Sequence, residues 1–140
     1  MAGSKSNYFE NAILKHIFGD TAYSVPATLY VGLWDNSVTL SDTSTGASAG
    51  EVNTSGTGYG RVAVTNDDTK WTVTDNVVEN AADVTFATAT ADWGTINQFA
   101  ILDATTGGNI LFWSTLAVSK TVTTGDTVRF NAGDITITEN

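Results

Sequence analysis

Two apolar runs flank a polar, glycine-bearing break in ADWGTINQFAILDATTGGNILFWSTL, residues 91–116. This pattern predicts a β-hairpin with its turn at Asp103–Asn109. Its apolar residues fall on both faces, which places the hairpin in the middle of a packed β-structure. Phe99, Ile101, Ile110 and Phe112 are expected to fill the interior. Upstream, ATLYVGLW (residues 27–34) alternates, with Leu29, Val31 and Leu33 on one side and Tyr30, Gly32 and Trp34 on the other. That reads as a strand with one buried face. Further short strand signals occur at 59–65, 71–74, 77–78, 83–87, 120–122, 127–130 and 135–138, separated by Asn-, Asp- and Gly-bearing turns. The chain start reads differently. Phe9, Ile13 and Ile17, with Leu14 and Phe18, recur at helical spacing. Asn7 is the expected N-cap, Glu10 follows three residues later, and Gly19 is the expected stop, giving a helix over 7–18. So short a helix needs a surface to dock on, either its own β-domain or a neighbouring subunit.

Between these elements lies a stretch of another character. Residues 35–58, DNSVTLSDTSTGASAGEVNTSGTG, are small, polar and mildly acidic. Few of them look able to bury, so a mobile flap or an arm that orders on a partner is expected, with Val38 and Leu40 in a short edge pairing. The sum is an all-β chain: an antiparallel, two-sheet, jelly-roll-like sandwich of about eight strands with a short N-terminal helix. An immunoglobulin-like sandwich is the other possibility. At 140 residues, a single domain spanning 1–140 is expected.

Charge narrows the partners. Fifteen Asp and Glu against six Lys and Arg give a formal net charge of −9. The six cations are scattered, so neither nucleic acid nor an anionic membrane surface is an expected partner. No apolar run reaches membrane-spanning length.

Candidate chemistry is sparse. Without cysteine there is no disulfide, thiolate metal site or cysteine nucleophile, and no metal or cofactor is expected. His16 is the single histidine, so serine-based triads lack most of their parts. Asp67-Asp68 is the one adjacent carboxylate pair, in a turn where such groups are usually solvated. GTGYGR (residues 56–61) lacks the Lys and Ser/Thr of a phosphate-binding loop and a following helix. No enzyme is expected. Binding surfaces remain: Phe9, Ile13 and Ile17 on the helix, Val38 and Leu40 in the long loop, and Trp93, the most exposed-looking of four tryptophans.

Four segments together carry a family resemblance: SNYFENAILKHIFGDTAYSVPATLYVGL (6–33), GYGRVAVT (58–65), TATADWGTINQFAILDATTGGNILFW (88–113) and LAVSKTVTTGDTVRFNAGDITIT (116–138). They resemble small phage virion structural proteins, often labelled tail fibre protein, among them the capsid cement protein of a Bordetella phage. The resemblance implies a capsid cement or decoration protein. It would sit on the capsid exterior, with the host cytoplasm its location during assembly, across junctions of major capsid protein subunits, as a homodimer or another symmetric oligomer. The alternative it allows is a tail-fibre or receptor-binding component of the virion.

Overall fold

The structure, a computed structural model, describes residues 4–139, so residues 1–3 and 140 of the expected domain lie outside it. It is mostly β, with antiparallel sheets, one N-terminal helix and no closed barrel. In chain order the elements are β1 (Ser4–Lys5), α1 (Asn7–Phe18), β2 (Thr28–Asp35), β3 (Val62–Thr65), β4 (Trp71–Thr74), β5 (Val77–Asn80), β6 (Val84–Thr85), β7 (Gly94–Leu102), β8 (Ile110–Val122), β9 (Arg129–Phe130) and β10 (Thr136–Thr138). Five strands form the main sheet in the order β1-β8-β7-β2-β3; β10-β5-β4 and β6-β9 form two smaller sheets.

The hairpin expected from the sequence is β7–β8, and β7 lies at the centre of the main sheet. Both of its faces are buried. One face carries Val31, Leu33, Ile96, Phe99 and Ile101 into a core shared with Trp71, Val84, Phe86, Trp93, Phe130, Ile135 and Ile137 of the smaller sheets and loops. The opposite face carries Trp34, Ala100, Leu102 and Ile110 into a second cluster, closed by Leu40. Ile110 joins this second cluster, not the first with Phe99, Ile101 and Phe112, because the register shifts between Ile101 and Leu102. A one-residue shift turns a side chain to the other face. β2 is likewise covered on both faces, not one: Val31, Gly32, Leu33 and Trp34 are all buried.

The second cluster exists because residues 36–58 are not a flap. They form a strap over the outer face of the main sheet. The strap runs back beside β2, where Asp35 N–H donates to the Gly50 carbonyl (2.8 Å) and Val52 N–H to the Leu33 carbonyl (3.1 Å). Leu40 is buried within it, held by its N–H donating to Gln98 Oε1 at 2.7 Å; Gln98 Nε2 donates in turn to the Val38 carbonyl at 2.7 Å. Leu40 therefore makes no edge strand. It plugs the second cluster.

Arg61 pins the strap down. Its side chain is 2% exposed, and all five N–H donors of the guanidinium are used. Nε and Nη2 grip the two Glu51 oxygens at 2.7 Å each. Nη2 also donates to the Gly46 carbonyl (2.9 Å), and Nη1 to the carbonyls of Ala104 (2.8 Å) and Gly107 (2.9 Å). One cation thus joins β3's approach, the strap and the β7–β8 turn. It also lies 5.9 Å from the Trp34 ring centroid. The Tyr59 hydroxyl accepts from Leu33 N–H and donates to Glu51 Oε1, each at 2.9 Å. The strap and turn touch so closely at Gly46 that a Cβ there would stand 1.8 Å from the Gly107 carbonyl oxygen.

Replacing Arg61 by Met leaves the partly buried Glu51 carboxylate and three carbonyls without their donor, and is expected to cost about 3–5 kcal/mol in chemical denaturation. Replacing Glu51 by Gln as well should return part of that loss; a fully additive double variant would contradict the coupling. Gly46→Ala is expected to destabilise by roughly 1–3 kcal/mol through forced displacement of the turn. Gly60→Ala, where no atom lies within 4 Å of the added Cβ, should be close to neutral. Burial and the neighbouring Glu51 charge push the Tyr59 phenol well above its ordinary pKa of 10.0. A raised native pKa gives stability that is full below the unfolded value and falls as pH climbs past it. Denaturation midpoints should therefore drop above about pH 10, and the drop should be shallower in Tyr59→Phe.

Candidate functional site

The largest group of apolar side chains facing water belongs to α1. The helix spans the expected residues, but its cap is Ser6, not Asn7. Ser6 is fully buried, its Oγ accepts from Phe9 N–H (3.2 Å) and donates to the Ile110 carbonyl, and its own N–H donates to the Leu111 carbonyl (3.0 Å). Serine wins the cap because β1 pairs with β8 at Trp113 and Phe112 and delivers residue 6 directly to the next turn of that strand. Asn7 N–H then donates to the Asp42 carbonyl of the strap at 2.8 Å. At the far end Gly19 N–H returns to the Lys15 carbonyl (2.9 Å), closing the helix where the sequence puts its stop.

So firm a start contrasts with the rest of the helix, in which no residue is fully buried. Phe9 alone makes aromatic contacts, edge-on to Phe112 (ring centroids 5.1 Å) and Tyr23 (5.5 Å). His16 Nδ1 accepts from Tyr23 N–H at 3.1 Å, a structural contact on the exposed side. The helix thus docks along one edge of its apolar sector. The remainder stays open: Ile13 is 40% exposed, Leu14 55%, Ile17 63% and Phe18 83%. At 100° per residue these four lie side by side, in the rows Ile13–Ile17 and Leu14–Phe18. Tyr8 and Val25 are exposed nearby in the chain. Each such side chain left in water forgoes roughly 1.5–3 kcal/mol of burial.

The other residues singled out from the sequence fare differently. Val38 is half-buried against the second cluster. Leu40, 1% exposed, is core. Trp93 is also core at 5%: its indole N–H donates to the Thr57 carbonyl (2.9 Å), and its ring meets Tyr59 edge-on at 5.3 Å. The ADWG sequence suggested a turn, but Trp93 N–H bonds the Val122 carbonyl (2.9 Å) and carries the side chain into the sandwich. Leu40 and Trp93 are therefore buried, whereas Ile13 and Ile17 face water. Leu14 and Phe18 carry the same face and share the periodicity that revealed the others. Asp67 and Asp68 lie in an exposed turn. The Thr69 hydroxyl bonds Asp67 Oδ1 at 2.6 Å and holds its carboxyl below the ordinary range, as in a turn built on its own side chain. Among the described residues no group of three or more His, Cys, Asp or Glu side chains is placed to hold a metal ion.

Ile17→Asp should leave unfolding free energy within about 0.5 kcal/mol of the parent, because the site is already wet. Phe9→Ala should cost roughly 1–3 kcal/mol, since that ring is the helix's anchor. Equal losses for the two in urea titrations would contradict one-edged docking.

No curated protein matches this chain. Over residues 4–138, however, it matches the family model described as Podophage GP4 fiber I protein gp80. The match spans every strand and the helix, so the chain belongs to this family of phage fibre proteins and is a structural component of the virion.

Proposed function

We propose that the protein is a non-enzymatic building block of the phage fibre, attached to its neighbours in the virion through the open apolar face of α1. The observation that carries this reading is a helix whose first turn is fixed by buried hydrogen bonds while Ile13, Leu14, Ile17 and Phe18 face water. A contiguous apolar patch on an otherwise polar, acidic body is the usual signature of a protein contact. The family description supports the fibre over the capsid-cement reading, in which the major capsid protein would be the partner. Within the fibre, a structural block fits better than a receptor-binding tip. Trp93 is packed inside, and the strap that would serve as an adaptable contact loop is clamped by Arg61.

Locating an epitope-tagged copy on intact particles by immunogold electron microscopy tests the assignment. Label on the tail fibres is expected; label distributed over the capsid shell would replace the fibre reading with the cement one. Particles assembled with Ile17→Asp should carry the protein at strongly reduced occupancy, measured by quantitative blotting. Full occupancy would remove α1 as the attachment element.

A further inference from the structure

The segment that leaves α1 is tied back to the helix by the chain's one histidine. Gly19 N–H and Thr21 N–H both return to the Lys15 carbonyl (2.9 and 3.2 Å), and Asp20, at φ 63°, turns the chain back past the helix end. Tyr23 N–H then donates to His16 Nδ1 at 3.1 Å. Among the described residues this is the only hydrogen bond made by residues 22–25. The next tie is at Pro26, whose carbonyl accepts from Asn66 Nδ2 at 2.9 Å. The bond also sets a side chain. The Tyr23 ring lies edge-on to Phe9 (5.5 Å between centroids), and Phe9 is the ring by which α1 docks on Phe112.

A backbone N–H only donates, so this bond fixes the state of the imidazole. Nδ1 must present its lone pair, and the ring is neutral with its proton on Nε2. Imidazole is the side chain whose charge changes between about pH 5 and 8. A proton on Nδ1 sets donor against donor and removes the Tyr23 bond outright. The surroundings accept that proton. His16 stands in the last turn of α1, where the final carbonyls and the negative end of the helix dipole favour a cation. The nearest charged residues in the chain are Lys15 and Asp20. On the packed side is Tyr23, whose phenol is raised above its ordinary pKa by burial first, then by Tyr8 of the helix and Asp103 of the β7–β8 turn. Among the described residues no ion pair holds His16 in either state.

We infer that His16 is a proton-operated latch: neutral, it holds the exit segment against α1 through Tyr23; protonated, it frees residues 22–25 and releases Tyr23 from its place beside Phe9. The device lies in the helix exit and stands whether or not α1 is the attachment element. Its effect on the surface is direct. Phe9, Ile13 and Ile17 form one i, i+4 row, and Tyr23 covers the Phe9 end of it. Opening the latch extends the exposed row toward the helix start.

Nuclear magnetic resonance on the whole chain tests it. At about pH 7.5 the long-range proton–nitrogen pattern of His16 should be that of the Nε2–H tautomer. On titration to about pH 5 the Tyr23 amide resonance should move with the same midpoint as the His16 ring. Exchange of that amide, corrected for its intrinsic pH dependence, should quicken roughly two- to tenfold, as the loss of one hydrogen bond implies. Two variants separate the latch from a general loosening in acid. His16→Asn offers a side-chain carbonyl oxygen near the place of Nδ1 and does not titrate, so Tyr23 should stay protected at both pH values. His16→Phe has no acceptor, so Tyr23 should be unprotected at both. His16 is exposed, so both variants should melt close to the parent. An Nδ1–H tautomer at neutral pH would overturn the inference. So would a Tyr23 amide indifferent to the His16 midpoint, full protection in His16→Phe, or acid-quickened exchange that persists in His16→Asn.

Discussion

Arg61 carries a full charge to a place water scarcely reaches, and every N–H of its guanidinium ends on an oxygen. A buried cation is tolerated on those terms and few others. Its partners come from regions far apart in sequence: Glu51 and Gly46 from the strap, Ala104 and Gly107 from the turn of the central hairpin. The consequence is geometric. A polar segment of more than twenty residues, with little apolar content of its own, is held against the sheet as a lid. Without the lid, Trp34, Leu102 and Ile110 would face water, and the hairpin's second apolar face would have no reason to exist.

The lid also conditions the surface that remains. The Asp42 carbonyl, in the strap, receives the first N–H of α1, and Ser6 bonds β8 beside Ile110 of the covered cluster. The helix start is thereby built into the sandwich, while its later turns project outward. That division suits an element whose position must be fixed but whose apolar face must stay available. Folding alone gives no benefit from Leu14 or Phe18 where they stand. On the proposed reading, their burial comes with assembly.

Much of the architecture was legible in the pattern of residues. Alternation in ATLYVGLW and the two-faced hairpin gave antiparallel strands and a central position for β7, because period-2 burial leaves a direct trace. Gly19 and the i, i+4 rows mark the helix limits, and only the cap differs, Ser6 in place of Asn7. The strap was not legible. Its anchors are a single Leu, a Gln in another strand and an Arg after the loop, and nothing local in DNSVTLSDTSTGASAG distinguishes a clamped cover from a free flap. Trp93 was misplaced for a similar reason: the turn-like ADWG describes the backbone locally, whereas the indole's destination depends on Thr57 and Tyr59, more than thirty residues upstream. The three extra residues in β8 were invisible too, since a bulge is defined only against the strand it pairs with.

The sequence by itself determined the kind of molecule: antiparallel β, one amphipathic helix, an acidic net charge, and the order of segments by which it resembles phage virion proteins. Those properties follow from local periodicity and composition, which each residue contributes independently. Which apolar residues are spent inside and which are left outside was decided by tertiary structure alone. Leu40 and Trp93 vanish into cores, while Ile13, Leu14, Ile17 and Phe18 remain in water. The physical reason is that burial belongs to pairs of surfaces. A leucine in a polar loop and a leucine on a helix carry the same driving force, and only the folded chain determines which of them finds a partner within the molecule.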